Sequence, residues 1–196
     1  MSVTPNDDIV EISQRCDFLR TALRDAPDDV KIIPERKYSY LCEMSGERPN
    51  LVFLRFSQGT YGGSLDLHRS YLSQRAFLPI LFTLPLCPWL EHINLREERL
   101  TTTLIQLLCE ALQDLPCLTT IDVSGNPFGS FGVQALLRLV QRNRSIVDCR
   151  VDGVQCVGAF LRRLHMACER NMEDAELSED ESFRSSSTPS AVEFTV

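Results

Sequence analysis

A spacing of 28 residues runs through the middle of this 196-residue chain. Leu65, Ile93, Ile121 and Cys149 stand at that interval, as do Leu67, Leu95, Val123 and Val151. Further along each unit, Phe77, Ile105, Val133 and Leu161 hold a second column. Ile80, Leu108, Leu136 and Leu164 hold a third. Within a unit, a short alternating run reads as a strand, a turn follows, and the apolar residues then recur at helical spacing. An exact internal period is the strongest constraint available on such a chain. One strand–turn–helix unit cannot bury its apolar face alone, so neighbouring units must stack.

The third unit reads "LTTIDVSGNPFGSFGVQALLRLVQRNRSI". It resembles the leucine-rich-repeat family in its ribonuclease-inhibitor-like subclass, and the resemblance covers roughly Leu51 to Arg170. It implies an α/β solenoid, a horseshoe with a parallel sheet on the concave side and helices on the convex side. The family's turn asparagine occurs only at Asn126; Ser70, Glu98 and Val154 stand at the equivalent places. The other turns must therefore satisfy their backbone groups in another way.

The domain organisation expected is an N-terminal cap over 1–50, repeats over 51–170 and a tail over 171–196. Strands are expected near Leu65–Leu67, Ile93–Leu95, Ile121–Val123 and Cys149–Val151. Helices are expected over Gln74–Leu84, Thr102–Leu115, Phe131–Arg142 and Val157–Arg170. In the cap, Ile9, Ile12, Cys16, Leu19 and Leu23 recur at three- and four-residue steps, which predicts a helix over 6–26 ended by Pro27. The runs 38–44 and 51–56 read as strands with a turn between them, a hairpin on the N-terminal edge of the sheet. The glycines at 59, 62 and 63 lack the lysine and hydroxyl of a phosphate loop and read as a turn.

Residues 171–196 carry seven acidic residues and one arginine, against a net charge of −7 for the whole chain, so residues 1–170 are near neutral. This acidic, serine-rich composition reads as a disordered tail. Ser178, followed by Glu179, Asp180 and Glu181, fits an acid-directed kinase. A basic nucleic-acid footprint is absent, so nucleic acid is not an expected partner. The longest apolar stretch is broken by Pro79, Pro85 and Pro88, which argues against a membrane span. No apolar run follows a basic start, so no secretory signal is expected. The eight cysteines include no C-x-x-C pair, which points to a reducing cytoplasm. Cys149 and Cys156 lack zinc-ligand spacing, and no metal or cofactor is expected.

Strand alternation turns Asp66 and His68, His92, Asn94 and Arg96, Asp122, and Arg150 and Asp152 onto one contiguous polar sheet face. This concave face is the expected partner-binding surface. A second candidate is a convex basic patch of Arg138, Arg142, Arg144, Arg162 and Arg163, in a chain with 18 arginines and two lysines. His92, Asp122 and Thr120 fall close enough for a hydrolytic reading, but an open sheet excludes no water. His165 shares a column with Leu81, Cys109 and Leu137 and reads as packed. No catalytic residue and no small-molecule substrate are expected. The function expected is a non-enzymatic protein-interaction module or adaptor. The alternatives are a structural subunit of a cytoskeletal or ciliary assembly, or a small-GTPase regulator. The resemblance permits these, since members of the subclass bind ribonucleases, actin, ciliary complexes and small GTPases.

Overall fold

The computed structural model describes residues 5–60 and 62–186, the side chains of 5–8 and 178–186 excepted. Four strands of three residues each, β1 (Ser64–Asp66), β2 (His92–Asn94), β3 (Thr120–Asp122) and β4 (Asp148–Arg150), form one parallel sheet in chain order. Leu65 pairs with Ile93, Ile93 with Ile121 and Ile121 with Cys149, so the 28-residue spacing is the strand register itself. Parallel neighbours need a crossover between them. Helices α5 (Gln74–Thr83), α6 (Thr102–Leu112) and α7 (Ser130–Arg142) supply it, with a 3₁₀ turn at Leu84–Leu86, and α8 (Gly158–Ser186) follows the last strand. The inward strand residues and the helix columns meet in one core. Leu67, Ile80, Leu95, Ile105, Ile121, Val123, Val133 and Leu136 all lie fully buried in it.

The turns after β1 and β2 are closed by residues of the following unit. The Asn126 side-chain oxygen accepts from Leu100 N at 2.9 Å, and its amide donates to Leu95 O and Val123 O at 2.9 and 2.8 Å. One unit earlier, the buried Glu98 carboxylate accepts from the backbone N–H groups of Ser70, Tyr71 and Leu72 at 2.6, 3.3 and 3.1 Å. A second 28-residue pair works at the other end of the strands. The Asn143 amide donates to Leu115 O at 2.8 Å. The Asn171 amide donates to Val140 O and Ile146 O at 2.9 and 2.8 Å. Leu115 O and Val140 O lie at or just past the ends of α6 and α7, where carbonyls run out of helical partners. Asn171 thereby ties α8 to the foot of β4.

Residues 5–57 differ from the expected cap. Helix α1 runs over Pro5–Asp25 and buries Ile12, Cys16 and Leu19 against α3 and α5. The expected hairpin is instead two helices, α3 (Pro34–Ser45) and α4 (Leu51–Ser57), preceded by the short α2 (Asp28–Ile32). Pro34 sits in the first turn of α3, and Gly46 ends it at φ 68°, with its N–H on Cys42 O and Glu43 O. Asn50 caps α4, its side chain accepting from Val52 N and Phe53 N. Tyr38, Leu41 and Cys42, like Phe53, Phe56 and Ser57, are buried at helical spacing. Tyr38 meets Phe53 edge-on with ring centroids 4.6 Å apart, which locks α3 to α4.

The horseshoe solenoid with a disordered tail is corrected accordingly. The described chain is a compact α/β domain of one four-stranded parallel sheet and eight helices, with one core running from Ile12 on α1 to Cys168 on α8. The four helices α1 to α4 before the sheet depart from an array of equal units. The tail reading is corrected as far as Ser186, because α8 continues to that residue. Its packed first half nucleates the helix, and a run containing Met, Glu, Ala and Leu then propagates it cheaply. Residues 187–196 lie outside the described residues.

Candidate functional site

The eight predicted face residues do lie together on the sheet surface, but several are committed to the scaffold. Asp66 accepts from His68 N at 2.9 Å, Asn94 from Arg96 N at 3.2 Å and Asp122 from Ser124 N at 2.9 Å. Each closes its own strand end as an Asx turn. His68 Nδ1 bonds Arg96 O at 3.0 Å. Thr119 Oγ1 lies 3.0 Å from Glu91 O and 3.2 Å from His92 Nδ1, joining the three in one hydrogen-bonded group. His92 is exposed, and among the described residues no nucleophile–base–orienter arrangement surrounds it. Arg150 is folded onto Asp148 at 2.8 Å, and Arg96 lies 3.6 Å from Glu97. Arg96, Arg150, Asp152 and His92 remain exposed, and they give the face charged forks and hydrogen-bond positions rather than reactive groups.

A rim that the sequence did not reveal adjoins this face. Arg69 and Glu97 have positive φ values of 57° and 59°, in the place that Gly125 (φ 70°) and Gly153 (φ 74°) fill in the later units. Tyr71 (φ 51°) and Arg99 (φ 56°) repeat the strain two residues on. Arg69 pairs with Glu97 at 3.3 Å, an exposed contact worth at most about 1 kcal/mol. Four non-glycine residues in the left-handed region cost more than that, at roughly 1 kcal/mol each. The rim therefore holds exposed Arg69, Tyr71, Arg96 and Arg99 on a backbone kept in place by Glu98. A cavity of 400 Å³ beneath it is lined by Tyr71, Leu72, Phe77, Glu98, Arg99 and Leu104 among others. The signal in the sequence was the arginine and glutamate standing in a glycine column.

The convex arginines separate into different roles. Arg138 bonds Gln134 O at 3.3 Å and Arg142 pairs with Asp114 at 3.3 Å. Arg144 donates to the Asn171 side chain at 3.0 Å and so supports the α8 anchor. Arg162 and Arg163 are exposed on α8. His165 is corrected from packed to exposed, with Nε2 at 3.1 Å from Glu169. Ser178 lies on α8 with its side chain outside the described set. Cys109 and Cys168 are buried, and burial pushes their thiols up to about 12 and about 11. Cys149 and Cys156 are half-buried. Among the described residues no three His, Cys, Asp or Glu side chains gather as a metal site, and no helix is long and apolar enough to cross a membrane.

No protein-family model matches the chain, and no curated protein matches it by sequence. Solved structures do. Actin-binding site 2 of leiomodin-1 superposes with a TM-score of 0.57 at 9% identity, over 71% of this chain and 99% of that one. The C-terminal domain of tropomodulin from Caenorhabditis elegans superposes with a TM-score of 0.56 at 15% identity, over 86% of this chain and 97% of that one. The expected resemblance to ribonuclease-inhibitor-like repeats is corrected by these neighbours: the fold is similar to that of the tropomodulin C-terminal domain and of actin-binding site 2 of leiomodin-1.

Proposed function

We propose that this chain is a non-enzymatic, protein-binding domain of the actin cytoskeleton, acting as a structural component of a filament-associated assembly. The supporting observation is the likeness of fold to the actin-binding site of leiomodin-1, over nearly the whole of that domain. The cytoskeletal reading accounts for this likeness better than a general adaptor does. The ciliary and small-GTPase alternatives find no counterpart in the two neighbours described. The polar sheet face is the proposed contact, with Arg96 and Asp122 near its centre and Asp66, His68, His92, Asn94, Arg150 and Asp152 around them. Its charged forks suit a folded protein surface, and arginine is favoured at such contacts. Cytoskeletal association is the matching location.

Co-pelleting with actin filaments, together with a polymerisation assay on monomeric actin, tests this directly. Binding or altered polymerisation is expected for the chain. Arg96→Glu combined with Asp152→Lys is expected to weaken it about tenfold or more, with an unchanged melting temperature. No effect of the unmodified chain in either assay would remove actin as the partner. Full activity of the double variant would move the contact to the convex Arg138, Arg142, Arg144, Arg162 and Arg163.

A further inference from the structure

The sheet has an unfinished edge at β4. Asp148 N bonds Thr119 O, and Val123 N bonds Arg150 O, so residues 148 and 150 turn their backbone groups toward β3. The backbone groups of Cys149 and Val151 between them point the other way, where no strand pairs with them among the described residues. Val151 O accepts from Val154 N at 3.3 Å and the Cys149 N–H bonds the Cys168 sulfur, which leaves Cys149 O and Val151 N–H facing the open edge. Alongside runs a groove of 630 Å³ whose apolar wall is Cys149, Val151, Leu161, Leu164, Cys168 and Met172. Asp148, Arg150, Asp152, His165 and Glu169 flank it. An open edge beside an apolar groove is a template for another strand.

The chain carries a segment that matches this edge. The strand runs read Ser-Leu-Asp-Leu (64–67), His-Ile-Asn-Leu (92–95), Thr-Ile-Asp-Val (120–123) and Asp-Cys-Arg-Val (148–151). Residues 191–194 read Ala-Val-Glu-Phe and repeat the pattern of a first residue, then apolar, polar, apolar. They lie outside the described residues. We propose that residues 191–196 of a second copy of this chain add to β4 as a fifth parallel strand. Continuing the observed register puts Val192 beside Cys149 and Phe194 beside Val151, both facing the groove. It puts Glu193 beside Arg150 on the polar face. Glu193 N–H would donate to Cys149 O and Val151 N–H to Glu193 O, as the corresponding groups do between β1 and β2, while the Cys149 N–H keeps the Cys168 sulfur. A one-residue slip would put Val192 and Phe194 on the polar face, so the register is specified.

Reach decides that the segment comes from another copy. Asn171 anchors α8 at the foot of β4, and residues 172–186 carry the helix roughly 22 Å beyond it. Six residue steps from Ser186 to Val192 span at most about 21 Å. The return to Cys149 needs the same 22 Å, and about 10 Å more along the strand. The chain's own segment falls short while α8 is intact, whereas a second copy's segment has no such limit.

Sedimentation of the full chain over a range of concentrations tests this. Concentration-dependent self-association is expected. Glu193→Arg and Arg150→Glu should each weaken it about tenfold, and their combination should restore it. Phe194→Asp should abolish it while leaving every residue of the described core in place. A chain monomeric at all concentrations, association indifferent to Phe194→Asp, or failure of the charge-swapped pair to recover would each overturn the proposal.

Discussion

Glu98 and Asn126 stand 28 residues apart and close successive turns with different chemistry. The carboxylate takes three backbone N–H groups, whereas the amide takes one and returns hydrogen bonds to two strand-end carbonyls. A carboxylate suits the first turn because that turn presents only donors. Glu98→Gln brings an amide N–H against Leu72 N–H or its neighbours and is expected to cost roughly 1–2 kcal/mol. Asn126→Ala strands Leu100 N–H, Leu95 O and Val123 O in the core and is expected to cost about 2–4 kcal/mol. Urea unfolding of both variants checks the order, with Asn126→Ala the more damaging.

Gly125 has φ 70°, and a Cβ added to it would lie 2.9 Å from Glu97 Cγ. Gly125→Ala should therefore lose stability twice, through the backbone and through that contact, by about 1–2 kcal/mol in all. Removing the Glu97 side chain in the same background should recover part of the loss, because only the contact depends on it. A double-mutant cycle on Glu97→Ala and Gly125→Ala reads this coupling, and strictly additive effects would contradict the geometry.

Glu11 joins α1 to α5. Its carboxylate is held below the ordinary range by hydrogen bonds from Arg15, at 3.0 Å, and Arg75, at 2.5 Å. A depressed carboxylate stabilises the folded state above its unfolded pKa, and that contribution is lost as pH falls through the lowered value. Hydrogen exchange in α1 should speed up relative to the core as pH drops below the usual glutamate range. Glu11→Gln should show the faster exchange already at neutral pH and respond less to acid.

The thiols divide by burial. Those of Cys42, Cys87, Cys109 and Cys168 are pushed up to between about 11 and about 12, each mainly by burial, whereas Cys117 is exposed. Brief alkylation of the folded chain near neutral pH should modify Cys117 first and leave these four until urea unfolds the domain. Peptide mass spectrometry reads the order, and early labelling of Cys109 would contradict the core packing.

The strand register was legible because one apolar residue out of place in a 28-residue column would turn a side chain out of the core. Helices α5 to α7 followed from the same columns, and α1 from its three- and four-residue steps. Helices α3 and α4 were read as strands because their runs are short and rich in Tyr, Phe and Val. The decisive marks were local, Pro34 and Gly46 around one helix and Asn50 before the other. The length of α8 was hidden because acidic composition describes solubility, while a helix already packed at one end needs little more than good helix formers to continue. The polar face was legible from alternation. The strained rim was not, since arginine and glutamate seldom adopt a positive φ, and only coordinates show that Arg69 and Glu97 do.

The direction of the closing bonds also sets an order in time. Glu98 completes the turn at 70–72, Asn126 reaches back to Leu95 and Leu100, Asn143 to Leu115, and Asn171 to Val140 and Ile146. Each stretch is thus finished by a residue that leaves the ribosome some 25 to 31 positions later. The growing chain always ends in a unit whose turn or helix end is still open. Stability therefore arrives from the N-terminus in steps, and the last step waits for Asn171.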